Sequence, residues 1–299
     1  MAALSGRLAV IGFAGALFLT TSAYVYLSDL AGAQARGLIA TLMLVTGLSG
    51  SLFWPLTAFL DHLVGWRMTT GIYAAAMILL IAPLTLLALP DVDHADTAGL
   101  TPSATARQGR IFWLLVLAVA LSSFVTSGIE AVGISLYRAL GADPVVAIGM
   151  ASFLGVIKVC GRLIDLVGGR RWNALSTGIT ASGMVAMGLL VLVIFGSAPA
   201  AVVTCLLLYG IGSGAFAVAR ATMPLVFYEK AAYAAAMSAI ALPMNLTIAA
   251  AAPVLSGVLT GMGAEATLTL LLMCSSISFL LLAMLAAEGR KARADGHPA

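Results

Sequence analysis

The chain has 299 residues, of which 62% are hydrophobic and 9% charged, with a formal net charge of +3 and a mean hydropathy of +1.09. Soluble domains carry roughly 45–50% apolar and about 25% charged residues, so this composition cannot coat a water-soluble globule. It excludes a cytosolic enzyme, a secreted disulfide scaffold and a nucleic-acid-binding module, the last because the basic residues are dispersed rather than gathered in one stripe.

A bilayer core takes about 20 apolar residues per helix, and that ruler predicts an all-α integral membrane protein of about nine spans. Long continuous apolar runs favour helices over a barrel, whose strands alternate polar and apolar residues. The first span, Leu8–Leu27, continues through Tyr24, Val25 and Tyr26 with no small-residue cleavage site, so it reads as a span rather than a signal peptide. Gly37–Leu60 and Met68–Leu89 follow. Pro90–Gln108 is then a solvated connection rich in Pro, Asp, Thr and Ala. His94 lies there among Asp91, Asp93 and Asp96, and one histidine on such a loop reads as solvated, not as a metal ligand. Six further spans come next: Ile111–Tyr137, Pro144–Val167, Trp172–Phe195, Ala200–Val226, Ala231–Leu259 and Ala266–Leu285.

Loop cations orient the bundle. Arg36, Arg107, Arg110, Arg170, Arg171, Lys230, Arg290, Lys291 and Arg293 fall on one side, against Arg7, Arg67 and Arg138 on the other. The richer side is cytoplasmic, which places the C-terminus inside; the expected location is the cell membrane, as a multi-pass protein of the bacterial inner-membrane type. The expected organisation is a partial N-terminal bundle of three spans over 1–89 and a cytoplasmic linker over 90–110. A six-helix bundle over 111–287 and a cytoplasmic tail over 288–299 complete it. Cys160, Cys205 and Cys274 sit in apolar stretches without ligand spacing and read as small buried hydrophobes. No cofactor and no metal are expected.

Three spans followed by six suggests three-helix units, the building blocks of many transport proteins. The fifth span ends Gly161-Arg162-Leu163-Ile164-Asp165-Leu166-Val167-Gly168-Gly169-Arg170-Arg171. This resembles the G-x-L-x-D-x-x-G-R-R loop signature of the major facilitator superfamily, with Gly169 intervening before the arginine pair. Gly161 would let two helices approach, Asp165 would meet a neighbouring helix N-terminus, and Arg170 and Arg171 would anchor at the anionic leaflet. Gly47, Gly50 and Pro55, followed by Gly65-Trp66-Arg67, look like helix 5 of bacterial members. Tyr209 to Gly214 with Arg220 and Pro224 resembles helix 10, and Tyr233, Pro243, Asn245 and Pro253 resemble a broken helix 11. The resemblance covers nearly the whole chain as helices 4 to 12 of the twelve-helix fold, without helices 1 to 3. It implies a secondary transporter working by alternating access.

Charges inside a membrane are costly and mark function by default. Lys158, Arg162 and Arg220 against Glu130 leave an intramembrane excess of +2, which favours an anionic solute. Glu130 reads as a cavity-facing carboxylate able to take a proton. Lys158 and Arg220 read as cavity-lining cations, and Asn245 as a polar binding group freed by the flanking prolines. Helical rise offsets Glu130 and Lys158 by about 10 Å, so no direct bond between them is expected. Asp165 is expected as the counter-charge on the Lys158 and Arg162 face.

The expected partners are the lipid bilayer, a small solute biased to organic anions and a coupling proton, with no nucleic acid. Rival readings are a drug/proton antiporter of the same superfamily and a non-transporting fragment. An enzyme is not expected. Gly47-Leu48-Ser49-Gly50 matches an intramembrane serine-protease pattern, but His62, His94 and His297 lie in loops or the tail and no base reaches Ser49. The run Gly210, Gly212, Gly214 reads as helix packing, since no strand precedes it.

Overall fold

The computed structural model describes residues 20–31, 34–88, 109–141, 143–168, 172–228 and 230–294. Every regular element among them is helical: α1 (Thr20–Ala31), α2 (Ala35–Ala76), a π-helical turn (Met77–Ile81), α3 (Ala82–Ala88) and α4 (Arg110–Ala139) in the first part. α5 (Pro144–Gly168), α6 (Ala174–Phe195), α7 (Pro199–Thr222), the short α8 (Pro224–Phe227) and α9 (Lys230–Ala294) follow. The linker residues His94, Asp91, Asp93 and Asp96, and the signature residues Gly169, Arg170 and Arg171, lie outside the described residues.

Two of these helices are too long for one crossing. At 1.5 Å per residue, α9 would reach about 100 Å if straight, against a hydrocarbon core of about 30 Å. Each is turned by one glycine with positive φ: Gly65 in α2 (φ 76°, ψ 159°) and Gly263 in α9 (φ 85°, ψ −177°). Side chains are disfavoured in that region, and glycine enters it freely. Both turns fall between predicted spans. Five stretches among the described residues are long and apolar enough to cross a bilayer, and the longest, Ala236–Glu288, has 53 residues. The turn at Gly263 divides it into two crossings. α5 is 25 residues long and carries three charges.

Helix ends follow local chemistry. Asn173 caps α6 by accepting the Leu175 amide at 3.1 Å, and Pro199 starts α7, where a missing N–H costs nothing. At its far end α9 continues helically to Ala294, so the expected tail from 288 is helical over its first seven residues. Ala, Glu, Lys and Arg dominate there and are strong helix formers, and Glu288 receives the Arg110 Nε at 2.8 Å. The expected break in the eighth span is also absent. Pro243 and Pro253 lie inside α9, whose only non-helical residue is Gly263. A proline removes one amide donor but its φ suits a helix, and the Thr247 hydroxyl between them donates to the Ala120 carbonyl of α4 at 3.2 Å.

Two apolar layers share the long α4. One joins Val125, Ile129 and Val132 of α4 to Leu154 and Ile157 of α5, Leu189 of α6, Tyr209 of α7 and Leu255 of α9. The other joins Leu115 and Val119 of α4 to Ala181 of α6, Phe216 of α7 and Leu282 of α9. A third seats the N-terminal pair, Tyr24 of α1 with Ile39 and Met43 of α2, on Val218 of α7 and Tyr233 and Met237 of α9. The Tyr233 hydroxyl is fully buried and donates to the Ala221 carbonyl at 2.9 Å.

Lipid tails are as apolar as leucine, so membrane helices associate through close backbone packing rather than the hydrophobic effect. α5 and α7 show this at two glycines. A Cβ at Gly161 would collide with the Ile211 carbonyl, and one at Gly214 with the Lys158 carbonyl. On the other flank of α7, a Cβ at Gly212 would lie 2.6 Å from the Ala181 carbonyl oxygen of α6. In contrast, the arm after Gly65 exposes Met68, Ile72, Leu79 and Leu87, a surface only lipid or another apolar body can cover.

Candidate functional site

Three helices carry polar groups at helical spacing and turn them toward one another. α4 presents Ser123, Ser127 and Glu130, and α5 presents Lys158, Arg162 and Asp165; both sets follow i, i+4, i+7, one face of a helix. α7 adds Tyr209 and Arg220, eleven residues and about three turns apart.

Lys158 and Glu130 form an ion pair, Nζ to Oε1, at 2.6 Å. The sequence argued against this bond from a stagger of about 10 Å. Both helices run unbroken there; the four-carbon lysine stem and the glutamate arm close the gap. The Lys158 side chain is 12% exposed and that of Glu130 63%, so the carboxylate sits at the open edge of the pair. Behind it, Lys158 Nζ lies 5.6 Å from the ring centre of Tyr209, within cation–π range. The Tyr209 hydroxyl is buried without a hydrogen-bond partner.

One turn along α5, Arg162 crosses to α2. Its Nη1 donates to the Met43 carbonyl at 2.9 Å, a contact Gly47 permits because a Cβ there would strike the same nitrogen. Its Nε is buried without an acceptor. Further on, Asp165 is 2% exposed and receives Arg36 Nη2 at 3.3 Å, while Arg36 also reaches Thr177 Oγ1 at 3.4 Å. Asp165 therefore neutralises the first turn of α2, not the cations of its own helix as expected.

Arg220 of α7 donates from Nη1 to the buried Ser123 hydroxyl at 3.4 Å, a long bond that leaves most of the guanidinium's donors free. Arg162 and Arg220 lie within electrostatic reach of each other, and both feel Glu130 and Tyr24. Among the described residues the two carboxylates of this seam are thus each held by a cation, while Arg162 and Arg220 touch only neutral oxygens.

Asn245 stands apart. It is exposed and lies about 200° around α9 from Thr247, the residue that faces α4. Gly168 packs beneath the Trp172 ring. Ser49, of the protease-like pattern, donates to its own helix at the Thr46 carbonyl, 2.6 Å away. Sequence reasoning passed over Ser123, Tyr24, the Met43 carbonyl and Tyr209 as site groups. The serine stripe ending in Glu130 was a readable signal on α4. A backbone carbonyl contacted from another helix leaves none.

No family model matches the sequence, and no curated protein matches it. Among solved structures, the E. coli fucose:proton symporter FucP is similar, with a TM-score of 0.68 at 14% sequence identity. The match covers 89% of this chain and 72% of that chain. The chain has the major facilitator fold. It is an all-α membrane-spanning architecture, as the loop signature and the span pattern implied. A major facilitator fold fixes where helices lie and leaves the solute to the side chains each member carries.

Proposed function

We propose that the chain is a secondary transporter of the major facilitator type, moving a small organic anion by alternating access with a proton as coupling ion. One observation carries the anion reading: Arg162 and Arg220, within electrostatic reach of each other, are held by a carbonyl and a hydroxyl, with no carboxylate ion pair among the described residues. In a low-dielectric setting an unpaired guanidinium is costly, and an anion that enters relieves the cost.

Lys158 lies ten residues from the end of α5 at Gly168, about 15 Å and near the middle of the bilayer core, where such sites are expected. A proton arriving on the Glu130 carboxylate would discharge the ion pair and leave Lys158 as a third cation facing the anion. Proton and anion would then enter together. FucP is a fucose:proton symporter, which supports the same reading here. The organisation in which a three-span N-terminal part rocks against the six-helix bundle, with the C-terminus cytoplasmic, follows from the same proposal.

Uptake of labelled organic anions into proteoliposomes holding the purified chain tests it. Uptake is expected to rise under an inward proton gradient. Arg220→Ala and Lys158→Ala should each abolish it while leaving expression intact. Unchanged uptake in both variants would remove the anion reading.

A further inference from the structure

We propose that the solute held between Arg162 and Arg220 is a small dicarboxylate, each of its carboxylates taken by one guanidinium. This deepens the anion reading and rests on it. The charge count is the first argument. Four cations, Arg36, Lys158, Arg162 and Arg220, face two acids, Asp165 and Glu130, across α2, α4, α5 and α7; Asp165 is taken by Arg36 at 3.3 Å and Glu130 by Lys158 at 2.6 Å. Two guanidinium charges remain. A monoanion would neutralise one and leave the other bare, whereas a dianion neutralises both.

Placement is the second argument. Arg162 lies one turn from Lys158 along α5, and Ser123, the anchor of Arg220, lies two turns from Glu130 along the antiparallel α4. Both guanidinia therefore fall on the same side of the Lys158–Glu130 pair. They are tethered in different directions, Arg162 to α2 through the Met43 carbonyl and Arg220 to α4 through Ser123. Each has used one of its five N–H donors in these contacts, and a guanidinium grips a carboxylate through two parallel N–H groups. The buried Arg162 Nε without an acceptor is one donor such a grip requires. Two forks tethered to different helices suit two planar groups on a short chain better than one tetrahedral phosphate.

Titration calorimetry of the full chain in detergent at neutral pH, with succinate, butyrate and inorganic phosphate, tests this. Succinate is expected to bind at least about tenfold more tightly than butyrate. Arg162→Gln and Arg220→Gln should each erase that preference, and Arg162→Lys, which keeps the charge, should retain part of it. Circular dichroism reports whether each variant is folded, and the succinate-to-butyrate ratio of the unaltered chain decides the matter even if a glutamine variant is not. Equal binding of succinate and butyrate overturns the dicarboxylate assignment and leaves the anion reading standing. Phosphate binding more tightly than succinate overturns it in favour of a single tetrahedral dianion. Failure of all three to bind removes the anion reading itself.

Discussion

Lys158 and Glu130 show what two flexible arms do to an argument from helical rise. Their backbones are staggered, yet the ammonium and carboxylate meet at 2.6 Å. Because the Glu130 side chain remains 63% exposed, the pair is open on one side and its coupling is modest. A double-mutant cycle on Glu130→Gln and Lys158→Met, followed by thermal unfolding in detergent, should give an interaction of about 1 kcal/mol. Additive effects would return the two residues to the separate positions their stagger suggests. Arg162 is the opposite case, a residue read as part of a loop signature that lies over a carbonyl of another helix because Gly47 leaves room for it. Polar side chains of this reach are the least legible part of a sequence, since their tips lie far from the backbone that periodicity predicts.

Helix pairs are held by small residues in register. At the α5–α7 crossing the obstacle to a side chain at Gly214 is the backbone carbonyl of Lys158, which cannot swing aside. Gly214→Val should therefore force α5 and α7 apart and cost about 1–3 kcal/mol of stability. Gly257 of α9 has nothing within 4 Å of its absent Cβ. Gly257→Ala should be neutral or stabilise the helix by up to about 1 kcal/mol. Melting temperatures of the two variants in the same detergent check the contrast; a Gly214→Val protein as stable as Gly257→Ala would show that the helices have slack there. The same scale explains the unbroken α9. Two prolines predict a break from local chemistry alone, but the helix is braced along its length by α4, with Thr247 bonded to Ala120 and Ser278 to Ala118.

For the whole molecule, the contacts that matter join the N-terminal helices to the six that follow. α2 meets α5 through Arg36–Asp165 and Arg162–Met43, and the apolar seat around Tyr24, Val218 and Tyr233 lies beside them. Among the described residues, these polar bonds and this apolar cluster form the joint that the proposed rocking would have to open. Arg36→Gln removes the cation that neutralises the buried Asp165. Amide hydrogen exchange over 35–47 is expected to rise by tenfold or more, about 1.4 kcal/mol of lost local protection, while the α4 core around Leu115 stays protected. Equal exchange in both proteins would show that the joint is held by its apolar seat alone.

Composition and long continuous apolar runs dictated a helical membrane protein, because lipid leaves a crossing only the helix or the closed barrel, and a barrel strand would alternate polar and apolar residues. The places of the turns were legible as the gaps between predicted spans, and the structure shows that Gly65 and Gly263, the residues that tolerate positive φ, make them. Which charges pair and which stay unpaired was a matter for the tertiary structure. Lys158, Arg162, Asp165, Glu130 and Arg220 were all visible as charges in or near the spans, but their partners lie on other helices, up to 129 residues away along the chain. Only packing brings Glu130 to Lys158 and Arg36 to Asp165, and so leaves two arginines with neutral partners.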